Sequence, residues 1–124
     1  MEKKRILIVD DEFGFTRLVK LNLEATGRYE VRTENKGSRT LTIAKEFRPD
    51  LILLDILMQD MEGGEVASQL KDDAVTRKIP IVFLTGVVKK EEVEKSDGDI
   101  GGYFFIAKPV STEELINQIE RSIG

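Results

Sequence analysis

Carboxylate, hydroxyl and ammonium side chains stand directly after, or one residue beyond, four separate apolar runs in this sequence. The first run, at residues 6–9, ends in three consecutive acids, and the run at residues 51–54 ends in another. Ionised carboxylates held close together repel, so the pKa of one rises unless a cation is shared between them. Carboxylate oxygens are the ligands that a hard cation such as Mg²⁺ prefers, so these residue types indicate oxygen chemistry around such a cation. The residues concerned are Asp10, Asp11 and Glu12, Asp55, Thr85 after residues 81–84, and Lys108 after residues 103–106.

Each of these residues also has an ordinary structural interpretation. An acidic pair after a strand is commonly a solvated loop or a helix cap, and Asp55, Thr85 and Lys108 could each belong to a surface turn. Taken one at a time, the ordinary interpretation is preferable. Chance alone, however, would rarely place all of these groups at the same edge of one sheet, so their joint position favours a functional role for the set.

The composition narrows the chemistry further. The sequence has no Cys, which excludes thiolate catalysis, disulfides and thiolate metal sites, and no His, the usual general base and a common zinc ligand. A net charge of −4 and a pI near 5.0 argue against a basic nucleic-acid-binding face. No apolar run approaches the length of a membrane span, and the apolar run at residues 6–9 is too short for a signal peptide. We therefore expect a cytoplasmic protein with no direct nucleic-acid or membrane partner.

Alternating strands and helices must position these side chains. The four apolar runs are continuous, which is typical of strands buried on both faces of a parallel sheet. The shorter and more polar run at residues 29–31 indicates an edge strand. Five helices are expected. The first spans residues 14–26 and stops at Gly27, and the second contains Gly37, Leu41, Ala44 and Phe47 and ends before Arg48-Pro49. The third contains Val66, Ala67 and Leu70, a short fourth covers residues 89–95, and the fifth contains Leu115, Ile116, Ile119 and Ile123 after a capping box from Ser111 to Glu114.

This alternation predicts an α/β fold with right-handed βαβ units and a doubly wound, five-stranded parallel sheet. The expected strand order is 2-1-3-4-5, as in flavodoxin-like folds, within one domain covering residues 1–124. In such sheets, ligands bind outside the carboxyl ends of the strands, where the strand order reverses. Strands one and three flank that point, so Asp10, Asp11 and Asp55 are expected to lie close together.

Other ligand-binding α/β folds fit the motifs poorly. No G-x-G-x-x-G follows the first strand, and no G-x-x-x-x-G-K-[ST] occurs, which disfavours dinucleotide binding and a P-loop. Phosphatases of the haloacid-dehalogenase type use an aspartate after the first strand and an acid two positions later. Glu12 stands at that second position, but no Thr follows where that family would need it.

The same residues resemble the receiver domain of two-component response regulators, of the chemotaxis-regulator type. The resemblance rests on Asp10-Asp11, Asp55, Thr85 and Lys108-Pro109 in this order and spacing, and it extends from Arg5 to the last helix. Met58, Gly63 and Phe105 also stand at matching positions. The sequence departs from the family at Gln59, where proline is usual, at Gly86, where alanine is common, and in the glycine-rich stretch 98–102.

The resemblance implies a role for each group. Asp55 would be the phosphoacceptor, taking a phosphoryl group from a histidine of a separate sensor kinase or phosphotransfer protein. Asp11, Asp55 and the backbone carbonyl of Leu57 would hold Mg²⁺, and Asp10 would act through a metal-bound water. The phosphoryl oxygens would be bound by Thr85 and Lys108.

The resemblance also implies a conformational switch that couples Thr85 to the aromatic ring of Phe105. Reorientation of Thr85 would let the ring move inward and remodel the face formed by the fourth helix, the fifth strand and the fifth helix. A downstream effector domain or protein would read this face, and homodimer formation on phosphorylation is a further option. The chain would not be an enzyme, beyond assisting its own phosphorylation and dephosphorylation.

Two alternatives stay open. The chain could be a receiver-like interaction module that works without phosphate, although its intact Asp11, Asp55, Thr85 and Lys108 argue against this. It could also be a metal-dependent phosphatase for outside substrates, although no motif for a substrate pocket is present. For the phosphorylated form, Leu57 and Val87 are apolar and predict slow self-dephosphorylation, because neither can orient the attacking water.

Overall fold

The described residues form a mainly parallel sheet that lies between two layers of helices. The computed structural model describes residues 2–86, 99–100, 103–107 and 111–123. The helices are α1 (Phe13–Glu24), α2 (Thr40–Phe47), α3 (Gly63–Asp72) and α4 (Thr112–Ile123), with a short 3₁₀ turn at Gly37–Arg39 before α2. The strands are β1 (Lys4–Val9), β2 (Tyr29–Glu34), β3 (Leu51–Asp55), β4 (Ile81–Thr85), β5 (Asp99–Ile100) and β6 (Tyr103–Ala107).

The strand order confirms the predicted fold class. Five strands are parallel in the spatial order β2-β1-β3-β4-β6, which is the expected 2-1-3-4-5 order because β6 is the fifth parallel strand along the chain. The two-residue β5 was not predicted, and it pairs antiparallel with the start of β6 at the edge of the sheet. The carboxyl ends of β1, β3, β4 and β6 therefore all meet at one edge.

Alternate residues of the central strands face opposite helix layers, which explains why their apolar runs are continuous. Ile6 and Ile8 pack with buried residues of α1 and α4, whereas Leu7 and Val9 pack with buried residues of α2 and α3. A central strand with two buried faces cannot show the alternation of apolar and polar residues that marks a half-exposed strand. The first layer takes Val19, Leu23, Leu115 and Ile119 from its helices, and the second takes Ala44, Phe47, Val66, Ala67 and Leu70.

The helix ends follow from local sequence chemistry. Arg48 adopts a left-handed conformation with φ of 53° and ends α2 directly before Pro49, where an α-helical conformation is disfavoured. The predicted cap of the last helix is present, because the Glu114 N–H donates to Ser111 Oγ at 3.1 Å. The expected fourth helix, at residues 89–95, lies outside the described residues. Among the helices that the structure describes, none has the length and apolar character needed to cross a bilayer.

Candidate functional site

Three carboxylates lie together at the carboxyl edge of the sheet. Asp10 and Asp11 follow β1, and Asp55 ends the neighbouring strand β3. Each offers one carboxylate oxygen, and these oxygens all lie within 4.8 Å of one another. Asp10 is fully buried and Asp55 is only 6% exposed, whereas Asp11 is half-buried. Mutual repulsion of such groups is relieved by a shared cation, so the cluster could hold a metal ion.

Hydrogen bonds fix Asp10 through its backbone and its side chain. Its carboxylate Oδ1 accepts from the Glu12 N–H at 2.9 Å, and its own N–H donates to the Glu34 carbonyl at 3.1 Å. Its carbonyl oxygen accepts from Asn35 Nδ2 at 2.8 Å, and the same Nδ2 donates to the buried Thr16 hydroxyl at 3.1 Å. Asn35 and Thr16 thus support the site, although neither was predicted from the sequence. Asn35 follows β2 at the same sheet edge, and its position there was the available signal.

Gly63 brings the start of α3 against the backbone of Asp55. The Gly63 N–H donates to the Ile56 carbonyl at 2.8 Å, and the Ile56 N–H donates to the Leu84 carbonyl of β4 at 3.3 Å. A Cβ at position 63 would lie 2.9 Å from Ile56 Cα and closer still to the carbonyl oxygen of Asp55. Only glycine lets the helix begin this near to the strand end, so Gly63 helps to set the position of Asp55.

The loop between Asp55 and Gly63 is attached to two neighbouring segments. The backbone N–H of Gln59 donates to Asp11 Oδ2 at 3.2 Å. The Asp60 carboxylate accepts from the Gly37 N–H at 3.0 Å, the Ser38 N–H at 3.1 Å and the Ser38 hydroxyl at 2.8 Å. The bond from the Ser38 hydroxyl is the main cause that lowers the pKa of Asp60, and the backbone donors add to it. Neither Gln59 nor Asp60 was predicted from the sequence to have a role at the site.

The residues expected to form a switch are only partly described. Thr85 is fully buried at the end of β4, and Phe105 is partly buried on the neighbouring strand β6. The ring of Phe105 packs on Phe83, with ring centroids 5.2 Å apart and the planes inclined by 32°. Phe83 and Thr85 are two residues apart along β4, so their side chains point to the same face of the sheet. Lys108, predicted to bind the phosphoryl group, and Val87 lie outside the described residues.

Known proteins share both this sequence pattern and this fold. Residues 6–120 match the family model of the response regulator receiver domain. The polar-differentiation response regulator DivK of Brucella anthropi is 37% identical over 122 residues, which cover 98% of this chain and 97% of that protein. The chemotaxis protein CheY4 of Vibrio cholerae superimposes with a TM-score of 0.82 at 27% identity, covering 98% of this chain and 99% of that one. A CheY-like receiver domain protein from Methanospirillum hungatei gives a TM-score of 0.81 at 29% identity, covering 98% and 94%.

Proposed function

Since the chain belongs to the family of response regulator receiver domains, which serve two-component signalling, we propose that it is a switch in which Asp55 accepts a phosphoryl group. One observation supports this above all: Asp55 ends a buried central strand beside two other carboxylates, at the edge where Thr85 also lies. The single receiver domain over residues 1–124 and its cytoplasmic location are parts of the same proposal.

The carboxylate cluster fits the divalent cation that the family implies. Its donors are all oxygens, which suits Mg²⁺ better than a softer metal. Asp11 and Asp55 would hold the cation together with the Leu57 carbonyl, and Asp10 would contact it through a water. When bound, Mg²⁺ would neutralise negative charge on the phosphoryl oxygens during transfer.

The side chains at this edge can take separate roles in phosphoryl transfer. An oxygen of Asp55 forms the new P–O bond as the P–N bond of a phosphohistidine breaks, and the released imidazole keeps the electron pair of that bond. Because such a transfer depends mainly on positioning and charge stabilisation, the residues that position Asp55 matter as much as its nucleophilicity. We assign to Thr85 a hydrogen bond to one phosphoryl oxygen, and to Lys108 the neutralisation of another.

In the cell, we propose, the phosphodonor is a protein that brings a phosphohistidine to this edge, such as a sensor histidine kinase or a phosphotransfer protein. Helix α1 begins two residues after Asp11, and its apolar residues Phe13, Leu18 and Leu21 are 66%, 56% and 58% exposed. Exposed apolar side chains beside a polar site are typical of a protein contact. We therefore propose that the phosphodonor contacts this side of α1.

A different part of the domain would transmit the signal to an effector. On phosphorylation, Thr85 would turn toward the phosphoryl group, and Phe105 would move inward into the space that Thr85 leaves. This movement would change the face expected from β6, α4 and the fourth helix predicted at residues 89–95, which lie outside the described residues. An effector domain or protein would read that face, or a second phosphorylated copy of the chain would pair with it.

Acetyl phosphate with Mg²⁺ tests the proposal, with intact-mass spectrometry as the measurement. We expect one added phosphoryl group in the parent protein and in the control Asp72→Ala, a substitution near the end of α3, and none in Asp55→Ala. A full adduct in Asp55→Ala would overturn the assignment of Asp55. No adduct in the parent would favour an interaction module that works without phosphate.

A further inference from the structure

The backbone N–H of Gln59 is placed to act on the metal site, and it is a group that proline lacks. It donates to Asp11 Oδ2 at 3.2 Å. Response regulators usually carry proline here, which has no N–H to give. We infer that Gln59 is a positioning residue whose N–H orients the Asp11 carboxylate for Mg²⁺. This inference rests on the proposed metal site and adds a residue to it.

Asp11 needs such a partner more than the other two acids do. Asp10 is fully buried and Asp55 nearly so, and both stand directly at strand ends. Asp11 is half-buried and lies one residue further into the loop. Within the described part of the chain, the Gln59 N–H is the hydrogen-bond donor to its carboxylate. Without it, the side chain would rotate more freely, and ordering it when a cation binds would cost free energy.

The loop holds the Gln59 N–H in place from both sides. Met58, the preceding residue, is buried among the side chains between the sheet and helices α2 and α3. Asp60, the following residue, is held by three hydrogen bonds from Gly37 and Ser38. The peptide nitrogen between these two anchors therefore has little freedom, and its N–H is a preorganised donor.

The geometry also leaves Asp11 able to bind a cation. A carboxylate has two oxygens, so a hydrogen bond to Oδ2 leaves Oδ1 for the metal. Hydrogen bonds from outside the ligand shell fix the orientation of metal ligands, and losing one commonly costs 10- to 100-fold in affinity. The Gln59 bond is long and exposed, so we expect the low end of that range.

Two substitutions at position 59 separate the N–H from the side chain. Gln59→Pro removes the N–H, whereas Gln59→Ala keeps it and removes only the side chain. In NMR titrations with Mg²⁺, Gln59→Pro should bind about 10-fold more weakly than the parent, and Gln59→Ala should match the parent. Unchanged amide shifts of Gly37 and Ser38 would verify that the loop keeps its position in Gln59→Pro.

The outcomes distinguish this inference from the proposed function. A parent protein that does not bind Mg²⁺ would refute the metal site itself. Equal or tighter binding by Gln59→Pro, with the loop in place, would refute only the role of Gln59. If proline displaces the loop, hydrogen exchange of the Gln59 amide with solvent tests the inference instead. This exchange should be several-fold faster in Asp11→Ala than in the parent. In the parent, saturation with Mg²⁺ should not make it faster. Unchanged exchange in Asp11→Ala, or faster exchange with Mg²⁺, would overturn the inference.

Discussion

Replacing Gly63 by alanine should destabilise the protein, although alanine normally favours a helix. The added Cβ would lie 2.9 Å from Ile56 Cα and nearer to the Asp55 carbonyl oxygen. Both neighbours are backbone atoms, so no side-chain rotation can relieve the contact. Either the start of α3 or the end of β3 must move by several tenths of an ångström, which also displaces Asp55.

The size of the effect follows from the kind of contact. Forcing an extra carbon into a packed site typically costs about 1–3 kcal/mol. Alanine returns up to about 1 kcal/mol through helix propensity, and less in a first turn. For a domain of this size, a net loss of about 1–2 kcal/mol lowers the Tm by roughly 3–10 °C.

The next residue of the same helix provides a matched control. A Cβ at Gly64 would meet nothing within 4 Å, so Gly64→Ala should be neutral or slightly stabilising. Thermal unfolding of both variants in metal-free buffer gives the comparison. If Gly63→Ala proves as stable as Gly64→Ala, the close approach of α3 to Asp55 is refuted.

Three further predictions concern single carboxylates and the lifetime of the phosphorylated form. Bonds from Ser38 lower the pKa of Asp60, so its ionised form adds stability above about pH 4 that is lost as pH falls through its folded pKa. In acid titrations of stability, the difference between the parent and Asp60→Asn should shrink below about pH 4; a constant difference would contradict this. Asp11→Asn removes one like charge from the cluster, so the metal-free Tm should rise slightly while calorimetric titration shows weaker Mg²⁺ binding; unchanged affinity would count against the site. Replacing Leu57 by Asn and Val87 by Glu together should accelerate decay of the phosphorylated form, because polar groups can orient the attacking water; a parent-like decay rate would contradict the shielding role.

Patterns of side-chain type were enough to predict most of the fold. The continuous run at residues 51–54 predicted β3, and the structure extends it by one residue to Asp55. The edge strand β2 was predicted too short, because it continues through Arg32 to Glu34 with exposed or half-exposed polar residues. The two-residue β5 could not be predicted, since a dipeptide shows no periodicity.

The candidate site was predictable only where side chains carry the chemistry. Asp10, Asp11 and Asp55 stand out because acids directly after buried strands are conspicuous. Gln59 acts on Asp11 through its backbone N–H, a group that every residue except proline has. Asn35 donates from its side chain to the backbone carbonyl of Asp10, so the residue type of the acceptor does not reveal the contact.

The contacts around the site form a closed loop of hydrogen bonds and short chain segments. Asp11 is bonded to Gln59, the adjacent Asp60 is bonded to the 3₁₀ turn at Gly37, and Asn35, two residues earlier, is bonded back to Asp10. A closed loop of this kind loses its ordering cooperatively, because breaking one contact frees the segments that hold the next. Residues on three connections separated in sequence should then behave as one unit of local unfolding. Their amides would share a common opening free energy in native-state hydrogen exchange, and a cation bound to Asp11 would raise that free energy for the Gly37 turn as well.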